Sequence, residues 1–119
     1  MSELAMIVED DEDLATIFAE ALQSAGYQVE SLRDGLLAQN RISQIEPHVV
    51  VLDMHLPIVS GGDLLKQIRA DERLKSTVVV IATADARMGE IFTDIADFVL
   101  IKPITFSQLR DLTARLHRI

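Results

Sequence analysis

At 119 residues, with 49% hydrophobic and 25% charged side chains, the chain has the size and balance of one globular domain with a sizeable core. Eleven Lys and Arg against nineteen Asp and Glu leave a formal charge of -8, which argues against direct binding of nucleic acid or of an anionic membrane by this chain alone. The lack of cysteine excludes disulfides and thiolate metal sites, and neither an apolar run of about eighteen residues nor a basic-then-apolar leader marks the chain for membrane insertion or export, so a cytoplasmic location is the expectation.

The first predicted element is a short apolar strand, Leu4 to Val8, followed at once by the acidic run Glu9-Asp10-Asp11. Leu14, Ile17, Phe18, Ala21, Leu22 and Ala25 then recur at helical spacing as far as Gly26, a good helix stop. Tyr27 to Ser31 alternates as a second strand, and Gly35 to Ile45 reads as a second helix carrying Leu36, Leu37, Ile42 and Ile45. After Pro47, Val49-Val50-Val51-Leu52 is apolar at consecutive positions, the pattern of a central strand covered by helices on both faces. Pro57 and Gly61-Gly62 are expected to form a loop, with Leu64, Leu65 and Ile68 starting a third helix. Val78 to Ile81 repeats the continuous strand pattern, Met88, Ile91, Phe92 and Ile95 mark a short fourth helix, and Phe98 to Ile101 is a fifth strand. Thr105-Phe106-Ser107-Gln108 has the form of a capping box, opening a last helix with Phe106, Leu109, Leu112 and Leu116 as its apolar stripe. Strands alternating with helices in this way predict a doubly wound parallel α/β sheet.

In such a sheet the carboxyl ends of the strands form one edge, and residues scattered along the chain converge there. Glu9 and Asp10, Asp53, Thr83 and Lys102 each end or follow an apolar strand. Three carboxylates, a hydroxyl and an ammonium in one crevice describe a magnesium-dependent site that accepts a phosphoryl group. Asp11, Glu12 and Asp13 are accounted for more simply, as acids that cap a helix and suit its dipole. Glu9 and Asp10 are not, because adjacent acids at a strand end repel and raise one another's pKa unless a cation is present. Oxygen donors alone select a hard ion, and few carboxylates with room for waters and a phosphoryl oxygen suit Mg²⁺ better than a calcium cage; the EF-hand pattern is absent. Asp53 taken alone reads equally well as a cap for the loop before Pro57, but beside Glu9 and Asp10 it reads as a carboxylate nucleophile. Lys102 follows an apolar strand, where an unpaired ammonium is costly, so it is expected to pair with Asp53. Thr83 is singled out only by its register with the others. His48, His55 and His117 read as a loop, a site-rim and a surface residue without catalytic work.

Glu9-Asp10 after the first strand, Leu52-Asp53-Met54-His55-Leu56-Pro57 with Gly61, Thr83-Ala84 after the fourth strand and Lys102-Pro103 after the fifth occur in this order at characteristic spacing. With them the chain resembles the two-component response-regulator receiver domain, a chemotaxis-protein-like superfamily, over its whole length. The resemblance implies one domain over residues 1–119, with a flavodoxin-like five-stranded sheet in the order 2-1-3-4-5 and five helices. It implies that Asp53 accepts a phosphoryl group from the phosphohistidine of a sensor histidine kinase or histidine phosphotransfer protein. Mg²⁺ would be held by Glu9, Asp10, Asp53 and the backbone carbonyl of His55, while Thr83 and Lys102 bind the phosphoryl oxygens. It further implies that His55 and Asp85 modulate phosphoryl lifetime, that the Lys102-Pro103 peptide is cis, and that an output partner or fused effector domain reads the state. Two departures stand out. Val99 occupies the place, three residues before the lysine, of the family's Tyr or Phe, with the aromatic Phe98 shifted by one; and the stretch from Thr83 to Lys102 is shorter than the common pattern by about one helical turn.

Other classes fit less well. A haloacid-dehalogenase type of enzyme needs a second Asp two residues after its nucleophile, where this chain has His55, so an enzyme is not expected. A flavodoxin-like flavin carrier needs a glycine- and hydroxyl-rich phosphate loop after the first strand, and Glu9 to Asp13 would repel the flavin phosphate. The remaining alternative is a receiver-like docking module with little phosphorylation.

Overall fold

A computed structural model of the protein describes residues 3–116, in which strands and helices alternate along the chain. The first half comprises β1 (Leu4–Val8), α1 (Glu12–Ser24), β2 (Gln28–Leu32), α2 (Gly35–Ile42) and β3 (Val49–Leu52). The second half comprises α3 (Gly61–Ala70), a 3₁₀ turn at Glu72–Leu74, β4 (Val78–Thr83), α4 (Ala86–Ile91), β5 (Phe98–Ile101) and α5 (Phe106–Leu116). All strand pairs are parallel and the order is β2-β1-β3-β4-β5, as the family resemblance implied.

The consecutive apolar runs are explained by burial on two faces. Val50 and Leu52 of β3 pack with Ala38, Ile42, Leu64, Leu65 and Ile68, so α2 and α3 cover that side, where Met88 of α4 also rests. Val49 and Val51 face the other way, against Phe18, Ala21 and Leu22 of α1 and Leu109 of α5. At about 25 cal/mol per Å² of apolar surface, these two layers are the main favourable term of the fold.

Several boundaries differ from expectation; α4 ends at Ile91, so Phe92 and Ile95 lie in the turn beyond it, and β4 runs on to Thr83. Gly26 has φ 105° and Tyr27 N still donates to Leu22 O at 3.1 Å, so Tyr27 belongs to the turn that ends α1, and the ladder starts at Gln28 opposite Leu4. The second helix stops at Ile42, where the Ser43 hydroxyl donates to Asn40 O at 2.7 Å in competition with the helical ladder, and its Leu36 and Leu37 are exposed. Gly61 and Gly62 are the first residues of α3 rather than a loop, behind a Ser60 hydroxyl that accepts from Asp63 N at 3.1 Å. A Cβ on Gly61 would stand 2.2 Å from Asp53 O, so this glycine serves close approach of the helix to the end of β3. Ile17 and Ile91, both assigned to apolar stripes, lie on outer faces instead. The predicted cap of the last helix is present, with Thr105 Oγ1 accepting from Gln108 N at 3.0 Å.

Candidate functional site

The sheet ladder runs one residue past the strands and fixes the site backbone. Glu9 N donates to Leu32 O at 3.1 Å, Asp53 N to Val8 O at 3.0 Å and Lys102 N to Thr83 O at 2.8 Å. Glu9, Asp53 and Lys102 are therefore each tied to a neighbouring strand, with Thr83 as one of the acceptors, before their side chains make any contact. Asp11 caps α1, accepting from Leu14 N at 3.0 Å, which turns the chain away and leaves Glu9 and Asp10 at the strand end.

The side chains converge as expected. Carboxylate oxygens of Glu9, Asp10 and Asp53 lie within 4.8 Å of one another, with Glu9 and Asp53 buried and Asp10 exposed. Lys102 Nζ is 2.8 Å from Glu9 Oε1 and 3.7 Å from Asp53 Oδ2. Thr83 is fully buried on the same edge, and its hydroxyl accepts from Asp85 N at 3.0 Å. At the rim His55 Nε2 stands 3.7 Å from Asp85 Oδ2, and Lys102-Pro103 is cis. His48 is a half-buried residue just before β3, with contacts of its own described below; His117 lies outside the described residues.

One expectation is extended and one needs correction. Lys102 pairs with Asp53 as expected, but Glu9 is its nearer partner. Asp53 Oδ1 already accepts from His55 N at 3.2 Å, whereas Glu9 Oε1 is buried without an aligned donor, so the ammonium sits where solvation is poorest. Asp10, however, is not the charge that acts on Glu9. Burial pushes the Glu9 carboxyl up, the Lys102 ammonium and the Asp11 amide pull it back, and the repelling neighbour is Asp53. Asp53 is likewise raised, first by burial, with the His55 amide and Lys102 opposing and Asp10 adding to the rise. For Lys102 burial acts downward, but Glu9 and then Asp53 outweigh it and hold the ammonium on.

These donors fit a hard divalent ion. Glu9 Oε1 is a buried oxygen that the Lys102 ammonium approaches without hydrogen-bonding alignment, and two further carboxylates lie within reach of the same point. A cation bound there would remove both the unaligned oxygen and the repulsion. With no sulfur or ring nitrogen among these three side chains, the donor chemistry suits Mg²⁺.

One contributor was missed in the sequence. A Cβ on Gly89 would meet Val99 Cγ1 at 2.6 Å and Thr83 Cγ2 at 3.6 Å, so α4 lies directly against the hydroxyl residue of the site and against β5. The signal was present, since an isolated glycine inside a helical pattern often marks close packing.

The family model for the response regulator receiver domain matches residues 5–114. The probable methanogenesis regulatory protein FilR2 of Methanothrix harundinacea is 31% identical over 118 residues, covering 90% of this chain and 76% of that protein. The polar-differentiation response regulator DivK of Brucella ovis is 33% identical over 90 residues, 76% of this chain and 73% of its own. Among solved structures, the CheY-like response regulator receiver domain from Methylobacillus flagellatus superposes with a TM-score of 0.85 at 30% identity, covering 98% of this chain and 99% of that one.

Proposed function

The chain belongs to the response regulator receiver family of two-component signalling, and from that membership we propose that Asp53 is its phosphoryl acceptor. Members of this family are signalling modules that meet histidine kinases or phosphotransfer partners. The observation that carries the reading is the convergence of Glu9, Asp10, Asp53 and Lys102 on one edge, with Glu9 Oε1 left without an aligned donor.

Asp53 attacks the phosphorus of a phosphohistidine, so that a P–O bond forms on its carboxylate as the P–N bond breaks and the imidazole leaves. Lys102, already 3.7 Å from Asp53 Oδ2, moves onto the incoming phosphoryl oxygens, and the Thr83 hydroxyl donates to another. Glu9, Asp10, Asp53 and the His55 carbonyl are the residues that would hold Mg²⁺, which when bound offsets the negative charge developing on the transferred group. His55 and Asp85, facing each other at the rim, govern how water reaches the acyl phosphate. We read residues 1–119 as one such domain acting in the cytoplasm on an output partner or fused effector. Among the described residues no helix is long and apolar enough to cross a membrane.

Intact-mass spectrometry with Mg²⁺ and a small phosphodonor tests the assignment. The wild-type protein is expected to gain one phosphoryl group and Asp53→Asn none, since the variant keeps the shape and loses the nucleophile. Equal gain in both would place the acceptor elsewhere, and no gain in either would favour the docking module.

A further inference from the structure

At the amino edge of the sheet, opposite the acidic crevice, residues just before three strands meet the last described turn of α5. His48, one position before β3, has both ring nitrogens engaged: Nδ1 lies 2.9 Å from Glu3 Oε2 and Nε2 lies 2.7 Å from the carbonyl oxygen of Leu116. Its ring stacks on Tyr27, with centroids 6.0 Å apart and planes 20° from parallel. The Tyr27 hydroxyl in turn donates to the carbonyl of Thr113 at 3.0 Å. Two carbonyls of one helical turn are thus held by side chains from two strand starts.

Both partners of the His48 ring are acceptors. A neutral imidazole carries one N–H and can satisfy only one of them, whereas the imidazolium donates to both. Its charge is matched on either side, by the Glu3 carboxylate and by the negative end of the α5 dipole. We propose that His48 is a protonation-operated latch that fastens the C-terminal turn of α5 to the amino edge of the sheet. The latch is closed when the ring is doubly protonated, and loses one of its two acceptors when the ring is neutral.

The charged surroundings support this assignment of roles. Glu3, leading into β1, is in direct contact with the ring. The phenol of Tyr27 is pushed up to about 12, by burial and then by the charge of Glu3, so it remains a donor throughout the range in which an imidazole titrates. Glu46 and Arg73 line the same cavity of about 440 Å³ as His48, but Arg73 is committed to the Ile42 carbonyl at 2.9 Å and to Asp71 at 2.9 Å. From α5 the ring receives the Leu116 carbonyl. Because His48 and Asp53 stand at opposite ends of β3, releasing the latch loosens α5 without disturbing the crevice.

The test follows the intact protein by NMR as pH is varied, reading the His48 ring nitrogens together with hydrogen exchange at the amides of residues 113–116. Both ring nitrogens should carry protons where those amides are best protected. On deprotonation, exchange corrected for its intrinsic pH dependence should speed by about two- to fivefold, the size of a charge interaction at a helix terminus. His48→Gln should exchange at the faster rate at every pH and show no step. A neutral ring with full protection of the turn, or the same step surviving in His48→Gln, would overturn the proposal; should that variant fail to fold, the ring signals of the wild type decide alone.

Discussion

Glu9 is the least exposed of the three site carboxylates, and its titration has a definite sign. Burial holds its carboxyl above the ordinary 4.5, so the native state keeps that proton more tightly than the unfolded chain does. The resulting stabilisation is complete below about pH 4.5 and is lost as pH rises through the folded-state value. At neutral pH without metal Glu9 therefore weakens the fold, and Glu9→Gln should raise stability at pH 7 by about 1 kcal/mol, a gain that shrinks as pH falls toward 4.5. Urea melts across that range are the measurement, and a variant less stable than wild type at pH 7 would mean that pairing with Lys102 outweighs burial. Mg²⁺ should reverse the order by stabilising the wild type more than Glu9→Gln, and pairing Glu9→Gln with Asp10→Asn should abolish the response. The glycines give a second contrast. Gly61→Ala sets a Cβ 2.2 Å from a backbone oxygen that cannot move aside, and should cost roughly 1–3 kcal/mol and slow phosphoryl uptake by displacing Asp53. Gly62→Ala meets the far end of the Phe92 ring and should cost less.

Among the elements, α4 and β5 decide how a change at Thr83 could travel. Strand alternation turns Val99 toward the α3 and α4 side and Leu100 toward α5, so Phe98 lies on the face away from α4 and cannot stand in for the missing aromatic. Val99 is small and stiff at χ1, and its Cγ1 already packs at Gly89. Activation with beryllofluoride is therefore expected to shift amide signals over residues 83–87 while leaving 99–101 nearly unchanged, with no change in sedimentation. A broad rearrangement of α4 and α5, or dimer formation, would refute this. The region has an independent anchor in Arg69 of α3. It donates to the carbonyls of Ile95 at 2.6 Å and Thr77 at 2.9 Å and to Asp97 Oδ2 at 2.6 Å, while the same Asp97 oxygen accepts from Val79 N at 2.8 Å. Arg69→Ala leaves these half-buried acceptors without their donors and should cost about 2 kcal/mol in thermal or urea melts; a change under 0.5 kcal/mol, the scale of an ordinary surface substitution, would show that water replaces the guanidinium.

Across the whole molecule, the fold was legible because burial on two faces leaves an unmistakable mark: β1, β3 and β5 begin and end where their apolar runs do. The site was legible for the same reason, as each of its residues directly follows such a run or closes it. What the sequence hid was decided by contacts between distant segments. Nothing local in Gly61-Gly62 separates a loop from a helix start pressed against a strand, nothing in the Glu9-Asp10 pair says which acid turns inward, and nothing near His48 announces Leu116 as its neighbour. Those ladder bonds beyond the strand ends carry a further consequence, for the chain as it is made. Asp53 leaves the ribosome well before Lys102, whose own strand must be added beside β4 before the ammonium can reach Glu9 and Asp53. Until then the ladder between β1 and β3 brings Glu9 and Asp53 together without a countercharge from the protein, and the crevice gains its ammonium only when β5 joins the sheet.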